Sequence, residues 1–186
     1  MHSAIHALAA LGLVRMRHGV GVFVSRPRSN AALLNHAWQN ATTAELALMR
    51  AAVDERAPVI VARRVEAGPD VRFPRALADI TFLANERSVR RMGYPEAFLS
   101  ADLAFHRAIA SSMRGTEITV SVYDRVAQRL MTSLMSVADV QATDDELDAA
   151  HIELAHTVLD GRPLRAGRLA RMIARRELHS LERMLG

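Results

Sequence analysis

The feature that most constrains the fold is the division of the chain after Thr43 into segments with helical periodicity. The predicted helices cover 43–66, 71–91, 95–113, 116–137, 144–160 and 163–184. Short breaks rich in glycine, proline and aspartate separate them: Gly68-Pro69, Gly93-Tyr94-Pro95, Gly115, Thr143-Asp144-Asp145 and Gly161-Arg162-Pro163. Because short connections favour antiparallel neighbours, the sequence predicts an all-α fold, an antiparallel bundle of about six helices.

Composition supports this fold class and excludes several kinds of site. The chain is 50% hydrophobic but only 4% aromatic, so a core of Ala, Leu, Val, Ile and Met is expected. It contains no cysteine, so disulfides and thiolate zinc sites are excluded and a metal would need His and carboxylate ligands. No apolar run reaches the roughly 18 residues that span a bilayer. A cytoplasmic protein is therefore expected, and the net charge of +4 says little about nucleic acid.

The N-terminal part predicts a short helix followed by a hairpin. Residues 2–11 place Ile5, Leu8 and Leu11 at helical spacing, and Gly12 can end the helix. Residues 13–16 and 20–24 are β-favouring runs joined by a glycine-containing turn. The predicted organisation is a partial winged-helix DNA-binding domain over 1–26, a linker over 27–42, and a helical ligand-binding and dimerisation domain over 43–186.

An Asp and a His in the third long helix could hold a metal ion. Asp102 and His106 are four residues apart, so on a helix they lie on one face, one turn apart. Such a pair offers two ligands to a divalent cation. An Asp–His pair at this spacing is more often a simple hydrogen-bonded surface pair, so the spacing alone leaves both interpretations open.

A second histidine is predicted to point into the same core. His151 lies within the apolar stripe formed by Leu147, Ala150, Leu154 and Val158. An inward imidazole needs a partner, and the partner can be a metal or another buried polar group. His156 lies on a different side of the same helix and is expected to be solvated.

These residues resemble a known family of bacterial regulators. Residues 6–24, HALAALGLVRMRHGVGVFV, look like the end of a GntR-type winged helix with its wing. The later segments are similar to the FCD (FadR-type) effector domain of the same family. The positions that carry this second likeness are Arg50, Asp54, Asp102, Phe105, His106 and His151.

The resemblance implies a ligand-responsive transcription regulator and not an enzyme. Its helical domain would bind a small carboxylate effector through Arg50 and a divalent zinc, nickel or manganese ion held by Asp102, His106 and His151. The homodimer would control binding to operator DNA. The wing residues Arg15, Arg17 and His18 would contact phosphate, although a solvated hairpin is the simpler interpretation.

The sequence departs from the family pattern in two places. The last metal-binding His of the family falls at Ile173, which is expected to face the pocket and contact the effector, and His179 lies too far along the helix to replace it. The chain also starts within the predicted recognition helix, where Ile5 occupies the place of a base-reading Arg. Operator binding by this truncated winged helix is therefore expected to be weak.

Two other classes of function remain open at this stage. A metal-dependent hydrolase also uses Asp and His ligands with open coordination positions, but no further acidic residue near the ligand motifs suggests a general base. In a metal-free helical dimerisation module, Asp102, His106 and His151 would only satisfy one another.

Overall fold

A computed structural model describes residues 14–17, 20–24, 31–68, 79–90, 95–113, 115, 117–135 and 145–185. The chain forms two compact units, Met1–Thr42 and Thr43–Gly186. The division of the first unit into a winged-helix part and a linker stays a prediction, as does the helix over 2–11, which lies outside the described residues.

The first unit contains a β-hairpin and one helix. Strands β1 (Val14–Arg17) and β2 (Gly21–Val24) pair antiparallel, with Val14 opposite Val24 and Arg17 opposite Gly21. The predicted hairpin is therefore confirmed. Helix α1 (Ala31–Asn40) lies within the segment predicted to be a linker. Its Ala, Leu and Gln residues favour a helix, and the Asn40 side chain donates a 2.8 Å hydrogen bond to the His36 carbonyl in the last turn.

The second unit is the predicted bundle of helices. Its described residues form six: α2 (Thr43–Glu66), α3 (Ile80–Arg90), α4 (Pro95–Ser111), α5 (Glu117–Met135), α6 (Asp145–Leu159) and α7 (Pro163–Leu185). Pro95 and Pro163 each open a helix, where a missing backbone N–H costs nothing. The predicted all-α class is confirmed. None of the described helices is long and apolar enough to cross a membrane.

The core is built from aliphatic side chains, as the composition predicts. Helix α2 packs against α7 and also contacts α4, α5 and α6. Small residues such as Ala57, Ala62, Ala166 and Ala170 are almost fully buried in the main core, which lets these helices approach closely. A smaller second cluster combines Phe98, Leu99 and Leu134 with the partly buried Met131 and Leu181. A group of polar side chains also lies between helices α2, α4, α6 and α7.

The turn between α6 and α7 depends on a glycine. Gly161 has φ +64°, and a Cβ atom there would lie 2.8 Å from the backbone nitrogen of Glu66. The turn therefore packs directly on the end of α2, where a side chain has no space.

Gly161→Ala is expected to destabilise the protein by more than Gly115→Ala does. Gly115 has nearly the same φ, +63°, but open space around its Cβ position. We expect a loss of about 1–2 kcal/mol for Gly115→Ala from the left-handed backbone alone. Gly161→Ala should lose at least about 1 kcal/mol more, because backbone must move. Urea unfolding of both variants measures the difference, and equal losses would contradict the close approach.

Candidate metal centre

Four ligand-type side chains from three helices meet inside the bundle. Asp102 and His106 come from α4, His151 from α6 and Glu177 from α7. One ligand atom from each lies within 4.8 Å of all the others. The first three are buried, whereas the Glu177 side chain is 21% exposed. The structure thus brings together the three residues that the sequence singled out and adds a fourth.

The spacing of the ligand atoms suits a first-row divalent ion. The Nε2 atoms of His106 and His151 are 3.2 Å apart. The Nε2 atom of His151 lies 3.4 Å from Oε1 of Glu177 and 3.8 Å from Oδ1 of Asp102. The Nε2 atom of His106 lies 3.9 Å from each of these two oxygens. Ligands about 2.1 Å from a tetrahedral zinc ion are about 3.4 Å apart, so the spacing fits with only small adjustments.

The outer nitrogen of each histidine is held by an acceptor. Nδ1 of His151 lies 2.7 Å from the carbonyl oxygen of Leu147. Because a carbonyl oxygen only accepts, this nitrogen carries the proton. Nδ1 of His106 lies 3.4 Å from Oδ1 of Asp54. Metal-binding histidines usually have such an outer partner, which orients the ring and leaves Nε2 free to coordinate.

The Nε2 atoms of His106 and His151 face each other at hydrogen-bonding distance. Two lone pairs would repel, so a proton or a cation must lie between them. Burial lowers the pKa of His106, but the carboxylates of Asp54 and Asp102 outweigh it and raise the pKa above its ordinary value. Burial lowers the pKa of His151. Without a metal, His106 is therefore the residue that carries the additional proton and donates it to His151.

Two arginines border the site and share the carboxylate of Asp102. Arg50 donates to Oδ2 of Asp102 at 2.5 Å and to Oδ2 of Asp54 at 2.9 Å. Arg87 donates to Oδ1 of Asp102 at 2.6 Å and to Asp148. Burial would raise the pKa of Asp102, but the two guanidinium groups hold it well below its usual range. Asp102 is therefore ionised, as a metal ligand must be.

The formal charges of the site favour a divalent cation. The site combines four carboxylates with two guanidinium groups, so its net charge is −2 when both histidines are neutral. The carboxylates belong to Asp54, Asp102, Asp148 and Glu177, and the guanidinium groups to Arg50 and Arg87. Uncompensated charge in a protein interior is costly. A divalent ion would make the total zero, so the residues present fit a metal in donor type, spacing and charge.

A cavity of about 310 Å³ adjoins two of the four ligand residues, Asp102 and Glu177. Arg50, Arg87, Asp102 and Glu177 contribute to its lining, and most of the other lining side chains are apolar. Arg50 thus lies where the sequence placed an effector contact, and its effector role stays a prediction.

The other predicted site residues do not meet at this centre. Ile173 is packed in the main core and does not line the cavity, so its predicted effector contact has no support from the structure. His179 is exposed, with Nδ1 3.8 Å from Oε2 of Glu182, and His156 is exposed as expected. Arg15 and Arg17 belong to β1, but their side chains and all of His18 lie outside the described residues, so DNA contact stays a prediction.

Sequence reasoning missed Glu177, Arg87 and Asp148. Glu177 follows Ala170 by seven residues and Ile173 by four, so it continues their buried stripe. The available signal was an acidic residue within an apolar stripe. Asp148 is an acidic residue three positions before His151, so it lies close in sequence to a predicted ligand. Its carboxylate pairs with Arg87 and lies 3.4 Å from the Ser88 hydroxyl.

Ile173→His is expected to cost stability without improving metal binding. Glu177 already places a carboxylate with the other three candidate ligands, and Ile173 is only 1% exposed within the core. A buried imidazole without a partner should cost about 1–3 kcal/mol.

Glu177→Gln should instead weaken zinc binding by at least about tenfold and leave the melting temperature nearly unchanged. Zinc titration and thermal melting of both variants check this. Tighter zinc binding by the Ile173→His variant would show that position 173 is the true ligand position.

Comparison with known proteins identifies the fold. No protein-family model matches the sequence, and no curated protein matches it closely. Among solved structures, Streptococcus agalactiae GntR is 19% identical over 96% of this chain and 80% of its own, with a TM-score of 0.57. A protein described as a transcriptional regulator GntR from Rhodococcus sp. RHA1 is 20% identical over 100% of this chain and 78% of its own, with a TM-score of 0.54. The chain therefore has the fold of solved GntR-type proteins, which confirms the predicted resemblance at the level of fold.

Proposed function

We propose that this chain is a ligand-responsive transcription regulator of the GntR family, FCD branch, whose helical domain binds a small organic acid with the help of a divalent metal ion. The observation that carries the proposal is the convergence of two Nε2 atoms and two carboxylate oxygens beside a cavity, with both outer Nδ1 atoms held by acceptors. The shared fold with solved GntR-type proteins supports the regulatory role.

The protein's own residues divide the work at this site. Asp102, His106, His151 and Glu177 would hold the ion, and Asp54 and the Leu147 carbonyl orient the two rings. When bound, the ion supplies a positive centre for a carboxylate. Arg50 and Arg87 keep Asp102 ionised and border the cavity. Because this centre joins three helices, occupancy can shift the packing of the bundle, which is the form of coupling that a sensor needs.

The site is better suited to binding than to catalysis. In metal hydrolases a free acid or base beside the ion activates water. Here Asp54 pairs with Arg50 and His106, and Asp148 pairs with Arg87. We therefore propose a cytoplasmic, non-enzymatic sensor that acts as a homodimer.

The DNA-binding part of the proposal predicts weak and salt-dependent binding by the chain as given. If Arg15 and Arg17 contact phosphates, replacing both by alanine should lower the salt slope of DNA binding by about two and weaken binding to all sequences alike. Fluorescence anisotropy between low and physiological salt measures this slope. The replacement Arg168→Ala, on α7 of the other compact unit, is the control. An unchanged slope in the double variant would contradict a role of the hairpin in phosphate binding.

The metal part of the proposal is tested by titrating zinc, nickel and manganese into protein produced without a His tag. Stoichiometric binding of at least one of these ions, with a rise in melting temperature, is expected because the ion offsets the net negative charge of the site and binds only the folded chain. Failure of all three to bind would contradict the metal site.

A further inference from the structure

We propose that the cavity beside the metal-ligand residues takes a monocarboxylate with an unbranched apolar tail, about ten non-hydrogen atoms in all, rather than a dicarboxylate or hydroxylated acid. This inference rests on the proposed function, because it places the carboxylate head at the metal centre. The new element is the chemical class of the ligand's tail, which a metal centre that binds only the carboxylate head does not determine.

The wall beyond the charged residues is mainly leucine, with one phenylalanine, three alanines and one serine, Ser180. Phe98, Leu99 and Leu134 form a compact apolar cluster with Leu181, and all four line the cavity. Leu130, Leu147 and Leu178 extend the same apolar lining. A hydroxyl or second carboxylate placed against these side chains would lose its water and gain no partner. An alkyl chain would lose only unfavourable hydration.

The cavity's buried cations are already committed to the protein's own carboxylates. Arg50 pairs with Asp54 and Asp102, and Arg87 pairs with Asp102 and Asp148. The guanidinium of Arg87 also lies 4.7 Å from the centre of the Phe98 ring, where the polar network meets the apolar wall. Within the part of the wall that the structure describes, neither buried arginine is left to neutralise a second ligand carboxylate.

A third arginine, Arg183, lines the cavity with an exposed side chain. Its described contact is a 3.4 Å hydrogen bond to the Ser180 hydroxyl. A carboxylate beside Arg183 would remain in water, and exposed ion pairs contribute little to affinity. Arg183 therefore does not offset the advantage of burying an alkyl tail.

The volume of the cavity sets the scale of the ligand. A cavity of about 310 Å³ lies at the small end of the range of ligand pockets, about 300–1,000 Å³, which suits a small ligand of about ten non-hydrogen atoms. Octanoate and adipate each have ten non-hydrogen atoms, so they compare an apolar tail with a second carboxylate at equal size.

The test is calorimetric titration of octanoate, adipate and a series of shorter unbranched acids into the zinc-loaded chain. Octanoate is expected to bind at least about tenfold more tightly than adipate. Affinity from butyrate to octanoate should rise roughly fourfold for each added methylene, as buried apolar surface predicts. Adipate binding as tightly as octanoate, or no dependence on chain length, would overturn the inference while leaving the metal site intact.

Two leucine variants locate the tail. Leu134→Gln places a polar group in the wall and should weaken octanoate binding at least tenfold with zinc affinity unchanged. Leu164→Gln changes a leucine that is 76% exposed on α7 and should alter neither affinity. If the Leu134 variant melts early, the chain-length series on the unmodified chain still decides. Loss of octanoate binding in Arg183→Ala would overturn the placement of the head group.

Failure of the proposed function gives a different result. If no zinc binds to the unmodified chain, the metal part of the proposed function fails. The comparison of octanoate with adipate in the metal-free chain then still decides the ligand class, because the apolar wall is the same. Octanoate binding more tightly there would support the inference, and equal or weaker binding would overturn it.

Discussion

Replacing His151 by alanine is expected to reduce zinc affinity by at least about a hundredfold, so that the purified protein carries only traces of metal. His151 is fully buried, and its Nε2 atom is within 4 Å of the ligand atoms of Asp102, His106 and Glu177. Removing it takes away the donor nearest to the other three. His106→Ala should have the same effect, because it removes the other nitrogen donor.

The control for this experiment lies on the same helix. His156 is five residues after His151 in α6 and is exposed, so His156→Ala should leave zinc binding unchanged. Elemental analysis and zinc titration of the three variants give the result, and circular dichroism shows whether each variant is folded. Full metal content in both the His106 and the His151 variant would contradict the site.

The second large effect is expected for Arg87→Met, which should destabilise the metal-free protein by about 3–5 kcal/mol. Arg87 is only 2% exposed and lies between the carboxylates of Asp102 and Asp148. Methionine keeps much of the volume but removes the charge, so two buried carboxylates lose a partner. The formal charge of the site becomes more negative by one unit, so bound zinc should restore part of the lost stability.

A surface ion pair provides the comparison. Arg107 makes two hydrogen bonds to Asp124, at 2.6 and 2.9 Å, but both side chains are largely exposed. Arg107→Met should cost only about 0–1 kcal/mol. Urea unfolding with and without zinc measures both variants. A loss for Arg87→Met as small as that for Arg107→Met would mean that the central ion network does not stabilise the fold.

The functional alternatives also give distinct results in these experiments. A metal-free dimerisation module would bind no zinc, and its histidine variants would change stability alone. A metal-dependent hydrolase would bind zinc and turn over substrate. A sensor would bind zinc and an organic acid, and acid binding would change the affinity of the dimer for DNA.

The sequence alone was sufficient for much of the fold. Helical periodicity and the glycine and proline breaks predicted the helices of the second unit, because a helix buries one stripe and ends where its backbone pattern cannot continue. The inward direction of His151 and the pairing of Asp102 with His106 followed from the same periodicity, which places residues four apart on one face.

The tertiary structure decided which stripes face one another. Glu177 lies 75 residues after Asp102 in the chain, and Arg87 reaches Asp148 across 61 residues. Periodicity within one helix shows on which face a residue lies, but not which residues of a neighbouring helix lie beside it. That alignment depends on how small residues such as Ala166 and Ala170 let α7 pack against the other helices. The fourth candidate ligand is therefore Glu177, and Ile173, one turn earlier, is buried in the core.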